Sequence, residues 1–419
     1  MNELAKRIKH YRVKEEITQK ELSKGIISVS YLSKIENGVA QPPIEILELL
    51  CRRLNIEVAQ VIDQETKLKD LCITWFKFLF YNDRENFINN YELIEESLYL
   101  ITDSNLVTLI EIHKLRYYIL MNEYENADKQ YQLLNKIKAN FNNTEQHYWL
   151  KFKGYYYFIK NSYHKALEAF ELSINHFEEA FYLVTEGKYA LNYMIALTAS
   201  HTRQLYITLT NANKALSYYQ KNYNLKECAK CHILIGITYT RFKNYEEALM
   251  NYKLAETIAN NINENNILST ILQNIGNLHF ISNRVEDAVY YFINSYEIRK
   301  APNKKIVPVS SLMKLYFKNS DFLNAQKWYE IGKELIKNNL IDDIYIYEFN
   351  VYYHLLHGIE EQSFNNLILN QILPILDEKK MHFEKITYIE ILANYYFETR
   401  RYKLSSIYFK QALDIQKEL

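Results

Sequence analysis

Residues 18–38 read TQKELSKGIISVSYLSKIENG, and this stretch decides how the first part of the chain folds. Thr18 followed by Glu21 is the pattern of a capping box, in which each side chain accepts a hydrogen bond from the other residue's backbone N–H at a helix start. Gly25 allows a sharp turn out of that helix. Ser28 is placed to cap a third helix over Val29–Asn37, and Gly38 supplies the left-handed residue that stops it. Upstream, Leu4, Ile8 and Tyr11 recur at helical spacing. Downstream, Pro42-Pro43 opens a fourth helix over IEILELLCRRL.

Two short helices joined by a tight turn form a helix-turn-helix, whose second helix presents its N-terminal residues to base edges in the major groove. Here those residues are Ser28, Ser30, Tyr31, Ser33 and Lys34. Gln19, at the start of the preceding helix, is placed for a phosphate or base contact. Residues 1–38 hold eight Lys/Arg against five Asp/Glu. Lys6, Arg7, Lys9, Arg12 and Lys14 lie on or near the first helix, where phosphates would run. Ile35 and Glu36 read as structural. The plainer alternative is an ordinary capped helix with a solvated lysine face. The full order of cap, turn, short helix, Glu-Asn-Gly stop and proline start resembles the Cro/C1-type (Xre-like) helix-turn-helix family and implies binding of double-stranded DNA by residues 1–62.

Composition sets the class of the rest. The 419 residues balance 50 Lys/Arg against 50 Asp/Glu, so any electrostatic footprint is local. Five prolines and eight glycines against 38 tyrosines and 20 phenylalanines argue for an almost wholly helical protein. The longest apolar run, LCITWFKFLF, contains Lys77 and is too short to cross a bilayer. Four cysteines and no secretion signal point to a cytoplasmic chain without a disulfide framework.

Self-similarity organises residues 106–419. Take a small residue as zero, then an aromatic at +3, a large apolar residue at +9, Ala at +12, an aromatic at +16 and a small residue at +19. Gly154, Tyr157, Tyr163, Ala166, Phe170 and Ser173 satisfy it, as do Gly236, Tyr239, Tyr245, Ala248, Tyr252 and Ala255. Further copies start at Gly276, at Met313 and at Ala393, the last running through Ser405, Phe409 and Ala412, and a weaker one starts at Leu115. Successive starts lie 39, 82, 40, 37 and 80 residues apart, so degenerate copies are expected near residues 195 and 354. About eight helix pairs result, resembling tetratricopeptide repeats of lengthened period. The expected fold is all-α: a helix-turn-helix, a linker and helical bundle over 63–105, then a right-handed superhelix with a concave groove. The small residues let the two helices of a pair approach, and aromatics fill the gap to the next repeat.

In such repeats the groove face of the first helix carries positions −3, −2, +1 and +4. Position +1 offers Arg116, Tyr155, Asn277, Lys314 and Asn394, and position −2 offers Asn274. Asn274 and Asn277 share a face, and paired amides can hold the backbone of an extended oligopeptide through donor and acceptor. Arg116 and Lys314 suit a carboxylate. Surface-filling asparagine is the alternative in a chain this rich in it.

No enzyme signature stands out. CAKCH at 228–232 matches a haem-attachment pattern, but inside a repeat helix it reads as two small residues on one face. Cys51 and Cys72 are too distant to complete a zinc site, and no cofactor or metal is expected. His354 and His357 read as packing or rim residues, and Glu92, Glu95 and Glu96 as solvated acids.

A helix-turn-helix head joined to a tetratricopeptide array resembles the Rap/NprR/PlcR/Rgg peptide-sensing regulators, NprR most closely. The resemblance implies a cytoplasmic homodimer or higher homo-oligomer that binds a short signalling peptide, with groove asparagines on the peptide backbone, and switches transcription by respacing its heads. It also implies an alternative: Rap-like phosphatase action on a response regulator of a sporulation phosphorelay.

Overall fold

The computed structural model describes residues 8, 9, 11–13, 15–40, 42–55, 58–98, 101, 103–177 and 184–417. Leu4, Lys6, Arg7 and Lys14 therefore lie outside the described residues. Every regular element among those described is helical, and no helix is long and apolar enough to cross a membrane.

A helical stretch ending at residue 13 precedes α1 (Gln19–Ser23), α2 (Val29–Glu36) and α3 (Ile44–Arg53). The capping box is formed in both directions, with Thr18 N donating to Glu21 Oε2 at 2.8 Å and Glu21 N donating to Thr18 Oγ1 at 3.2 Å. Ser28 Oγ accepts from Tyr31 N at 3.1 Å, capping α2. Gly38, with φ of 71°, ends α2 in a Schellman turn: its N–H reaches Ile35 O and the Val39 N–H reaches Lys34 O, both at 2.8 Å. Ile8, Leu22, Leu32, Leu47, Leu50 and Cys51 form the core of this head.

The helices that follow are α4 (Val58–Tyr81), α5 (Arg84–Ser97), α6 (Ser104–Met121), α7 (Tyr124–Ile137), α8 (Asn143–Ile159), α9 (Tyr163–Asn175), α10 (Val184–His201) and α11 (Leu205–Lys221). Then come α12 (Leu225–Arg241), α13 (Tyr245–Asn261), α14 (Asn265–Ile281), α15 (Val285–Ile298), α16 (Ile306–Lys318), α17 (Phe322–Asn338) and α18 (Asp343–His357). A broken helix built of α19 (Glu361–Asn365), a π-helical stretch Asn366–Ile372 and α20 (Leu373–Glu378) leads to α21 (His382–Glu398) and α22 (Tyr402–Lys417). Helices are present at both degenerate copies inferred from the doubled spacings. The expected head boundary at residue 62 falls inside α4, and the stretch expected as linker and bundle is itself a helix pair, α4 and α5.

These residues form two compact units, one within 1–156 and 169–187, the other within 157–168 and 188–419. The first unit packs Trp75, Phe76, Phe87, Ile110 and Tyr117 behind the head. Trp75 Nε1 donates to Phe87 O at 3.0 Å, so the indole is buried without an orphaned donor. Glu95, expected as a solvated acid, accepts from Tyr91 Oη at 2.5 Å.

One contact recurs in both units and explains the repeat pattern. A Cβ built on Gly154 or Gly236 falls 2.5 Å from a ring carbon of Phe170 or Tyr252, and one on Gly276 falls 2.6 Å from Phe292. The aromatic at +16 thus lies directly on the backbone of its own pair's first helix, rather than filling the gap to the next repeat as expected. The small residue at +19 serves the next repeat in one copy, where a Cβ on Gly332 would strike the Phe349 ring, whereas the hydroxyls of Ser173 and Ser295 donate to His147 O and Ser269 O on the first helix of their own pair. In the copy near 195, Ala196 faces the same role with Ala212 at +16, and both are fully buried. In the last copy Tyr408, not Phe409, stacks on Tyr396, at 5.7 Å between centroids, and Phe409 is exposed.

The scarcity of glycine follows from the turns. The left-handed non-glycine residues include Asn55, Asn82, Asn122, Asn161, Asn263 and Asn283, the type that tolerates this region best, together with Arg203, Tyr223, Lys243, Ser320, Lys380 and Arg400. Asparagine and aspartate also cap: Asp83, Asp103, Asn224, Asn244, Asp321 and Asp342 each accept a backbone N–H at a helix start.

Gly276→Ala is expected to lower stability by about 1–3 kcal/mol despite the better helix propensity of alanine, because Phe292 has nowhere to go. Urea denaturation of Gly276→Ala, Phe292→Leu and the double variant checks this: the double variant should be more stable than the sum of the singles predicts.

Candidate functional site

On the head, α2 divides cleanly. Leu32, Ile35 and Glu36 are buried, whereas Ser28, Ser30 and Lys34 are exposed and Tyr31 and Ser33 half-buried. Ser28 Oγ lies 3.2 Å from Ser30 Oγ, so the first turn presents two adjacent hydroxyls. Lys34 is on the same face as Ser30 and Tyr31 by helical spacing. The face assigned from sequence to base edges is therefore the free face of the helix.

Two other head residues are engaged elsewhere. Arg12 Nε donates to Glu36 Oε1 at 2.6 Å and its Nη2 to Glu36 Oε2 at 3.0 Å, while Nη1 reaches Ile17 O at 2.9 Å. This pairing holds the guanidinium above its ordinary pKa. Arg12 is thus taken up inside the head rather than facing phosphates. Gln19 Nε2 donates to Glu36 Oε2 at 2.7 Å, which spends its amide hydrogen-bonding inward too. Glu36 is the hub: one buried carboxylate orders α1, α2 and the helical stretch before them.

In the second unit, Asn274 and Asn277 are half-buried on α14. Asn274 Nδ2 donates to Thr270 O at 2.9 Å, leaving its carbonyl oxygen outward. Among the described residues Asn277 has no hydrogen-bond partner. Beside them, one turn before Asn277, Gln273 is buried; its Nε2 donates to Ser311 Oγ at 2.8 Å and its Oε1 is buried with no partner. Lys314 Nζ sits 2.9 Å from Glu348 Oε2, so the cation expected to receive a peptide carboxylate already has one. Ser310 Oγ hydrogen-bonds the other oxygen of Glu348. A polar ladder therefore runs over α14, α16 and α18. Asn394 is exposed on α21, away from any hydrogen bond among the described residues.

Arg116 belongs to the first unit. Its guanidinium carbon lies 4.1 Å from the Tyr155 ring centroid, and among the described residues no carboxylate pairs with it. Lys151 is buried nearby, its Nζ 5.1 Å from the Phe80 centroid and 5.9 Å from that of Tyr148. Burial, then the charge of Arg116, brings the Lys151 ammonium down to about 7. Burial also holds His113 and His147 neutral, both near 3. Lys151 and Gln273 were missed by the sequence reading, yet both occupy the −3 groove position, of Gly154 and Gly276.

Cys228 and Cys231 are buried on α12 with thiols pushed up chiefly by burial, as packing residues would be.

Comparison with known proteins converges on this arrangement. A helix-turn-helix family model matches residues 8–61. The transcriptional activator NprA of Geobacillus stearothermophilus is 29% identical over 405 residues, covering 95% of this chain and 99% of that protein. The chain is thus similar to NprA along nearly its whole length, and to Rap proteins over a large part of it. Response regulator aspartate phosphatase A of Bacillus subtilis is 23% identical over 69% of this chain and 76% of its own length. The solved structure of NprR with its cognate peptide NprX matches with a TM-score of 0.69 at 17% identity, over 84% of this chain and 99% of that one, which speaks for the fold.

The unpaired Lys151 gives a pH signature. Its folded pKa lies below the ordinary value of 10.5, so between about 7 and that value the unfolded chain holds a proton that the folded chain does not, and stability rises with pH. Lys151→Met is expected to flatten that rise and to stabilise the first unit at neutral pH. Hydrogen exchange of α8 in urea, compared at neutral and alkaline pH, measures both effects.

Proposed function

We propose that this chain is a cytoplasmic transcriptional regulator: the helix-turn-helix head binds duplex DNA, and a short extended oligopeptide held on the helical repeats of the second unit switches it. One observation carries the peptide half. Gln273 Oε1 is a buried acceptor with no donor, next to the unpartnered amide of Asn277 and the outward carbonyl of Asn274. A buried unsatisfied acceptor raises the free energy of the protein by about 1–3 kcal/mol. The backbone of an extended peptide offers alternating N–H and C=O groups that fit such a row of amides. Asn274, Asn277 and Gln273 are assigned to the peptide backbone. Lys314 and Glu348, already paired with each other, are assigned to its charged groups, one for each sign. Asn394 stays as a secondary candidate on the second unit, and Arg116, on the first unit, as a separate candidate for a carboxylate.

On the head, Ser28, Ser30, Tyr31 and Ser33 are assigned to base edges and Lys34 to phosphate or a base edge. Gln19 acts by positioning, through Glu36. A homodimer would set two heads at a fixed half-site spacing, and peptide binding would change that spacing. The similarity to an aspartate phosphatase supports a second reading, dephosphorylation of a response regulator.

Lys34→Ala is expected to weaken operator binding and to reduce the slope of log affinity against log salt by about one, read by fluorescence anisotropy over a salt series. Calorimetry with heptapeptide-sized ligands should show Asn277→Ala binding about tenfold weaker or worse. Gln273→Leu should separate two effects: the free protein becomes more stable while peptide affinity drops. If the unmodified protein binds no oligopeptide, and instead accelerates loss of label from a phosphorylated receiver domain, the second reading replaces the first.

A further inference from the structure

Far from the amide row in sequence, the second unit brings its first segment against its later helices. Asn161 Nδ2 donates to Asp342 Oδ2 at 3.0 Å, a bond spanning 181 positions. The Arg203 guanidinium lies 3.9 Å from the Phe383 ring centroid. Near these two stitches a solvent-open cavity of about 70 Å³ is walled by His164 and His201 on one side and by Lys379, Lys380, His382 and Glu384 on the other. Among the described residues, neither Lys379 nor Lys380 makes an ion pair.

The charge around this cavity is lopsided. Lys379, Lys380 and Glu384 line it, while Arg203, Arg241 and Asp342 lie near the lining residues Phe383, His201 and Tyr163. Burial, then Lys380 and His382, push the pKa of His164 down. The His201 ring stacks on Tyr163 at 4.1 Å, and burial, then Arg241, brings it to about 4. Burial, then Arg203, lowers Arg241 to about 10, and Tyr252 and Glu384 offset this only in part. Positive groups here outnumber the nearby acids, in a chain that carries as many acids as bases. Among the described residues no His, Cys, Asp and Glu side chains converge as metal ligands, so these imidazoles are not a cation site.

We propose that this cavity binds a small, doubly charged oxyanion of the phosphate or sulfate class, which bridges the 161–164 and 201–203 segments to residues 379–384. Lys379 and Lys380 supply the permanent charge. The anion favours the charged form of His164 and His201, so it enters with proton uptake and binds more tightly as pH falls. The sign follows from the depressed histidines: they are neutral in the free protein and gain a counter-ion in the complex.

The test uses the full chain and sulfate, which keeps both charges over the range studied. Calorimetry and thermal melting at about pH 6 and about pH 8, with chloride at matched ionic strength as the control, should show one saturable site that is tighter at the lower pH. Titration in buffers of different ionisation enthalpy should show net proton uptake. Lys379→Ala/Lys380→Ala, both at partly or fully exposed positions, should bind sulfate about tenfold more weakly or worse, and Lys379→Arg/Lys380→Arg should restore most of the affinity. Inorganic phosphate and glycerol phosphate, run in parallel, distinguish a free anion from an ester; preference for either supports the site. Stabilisation by chloride equal to that by sulfate, or an alanine double variant that binds as tightly as the unmodified chain, overturns it.

Discussion

An aromatic ring resting on the bare backbone of a glycine sets the geometry of the helical repeats. Phe170 on Gly154, Tyr252 on Gly236 and Phe292 on Gly276 are the same contact three times, and in each a single methyl group would overlap the ring. The glycine fixes how closely two helices of a pair approach, and the buried ring contributes about 1.5–3 kcal/mol of burial at that crossing. Because the same two ring carbons, Cδ1 and Cε1, come nearest in all three, the contact also restricts rotation about the helix axis. Positions −3, −2 and +1 then point where the crossing leaves them, and the amide row of α14 inherits its direction from Gly276. A groove residue in such an array is aimed by a packing residue that never touches a ligand.

The head depends on a different economy. α1 is only five residues long and cannot persist alone, so its orientation must come from outside itself. Glu36 provides it, accepting Arg12 and Gln19 together from a buried position. A charge so placed stabilises little in net terms, but removing one partner leaves the other stranded, at a cost of about 3–5 kcal/mol. The free face of α2 is thereby held against a rigid body, the condition for reading bases with short hydroxyl side chains whose reach is small.

Most of this architecture was legible because it is written in local chemistry. Thr18 and Glu21, Ser28 and Gly38 each act within a few residues, and the caps they form match their spacing. The repeat period was equally readable, since glycine, alanine and aromatic residues at fixed offsets mean the same thing each time. What escaped was pairing at long range. Arg12 and Lys34 look alike in sequence, and only Glu36, folded back over 24 positions, tells them apart. Lys314 looked as available as Arg116 until Glu348 appeared 34 residues away. The asparagines were ambiguous for a related reason: the same side chain ends a helix at Asn122, caps one at Asn244 and lines a wall at Asn277. Only burial and partners separate those uses.

Those partners also suggest how occupancy of the wall would be felt beyond it. Gln273 bonds to Ser311 on the next inner helix, and Ser310 beside it bonds to Glu348 on the one after, which holds Lys314. The ladder is complete except at its first rung, where the Gln273 carbonyl has no donor. Supplying that donor recovers about 1–3 kcal/mol that the free protein forgoes, and it does so only when the amide stays in its present rotamer. A ligand there therefore favours one arrangement of three successive helices over any in which Gln273 turns to find a partner of its own. In an array where each repeat contacts chiefly its neighbours, such a bias passes from helix to helix as a small change in packing angle. Differential affinity for that single rotamer is the free energy available to move the rest, and it is of the size that separates a bound from an unbound regulator by one or two orders of magnitude.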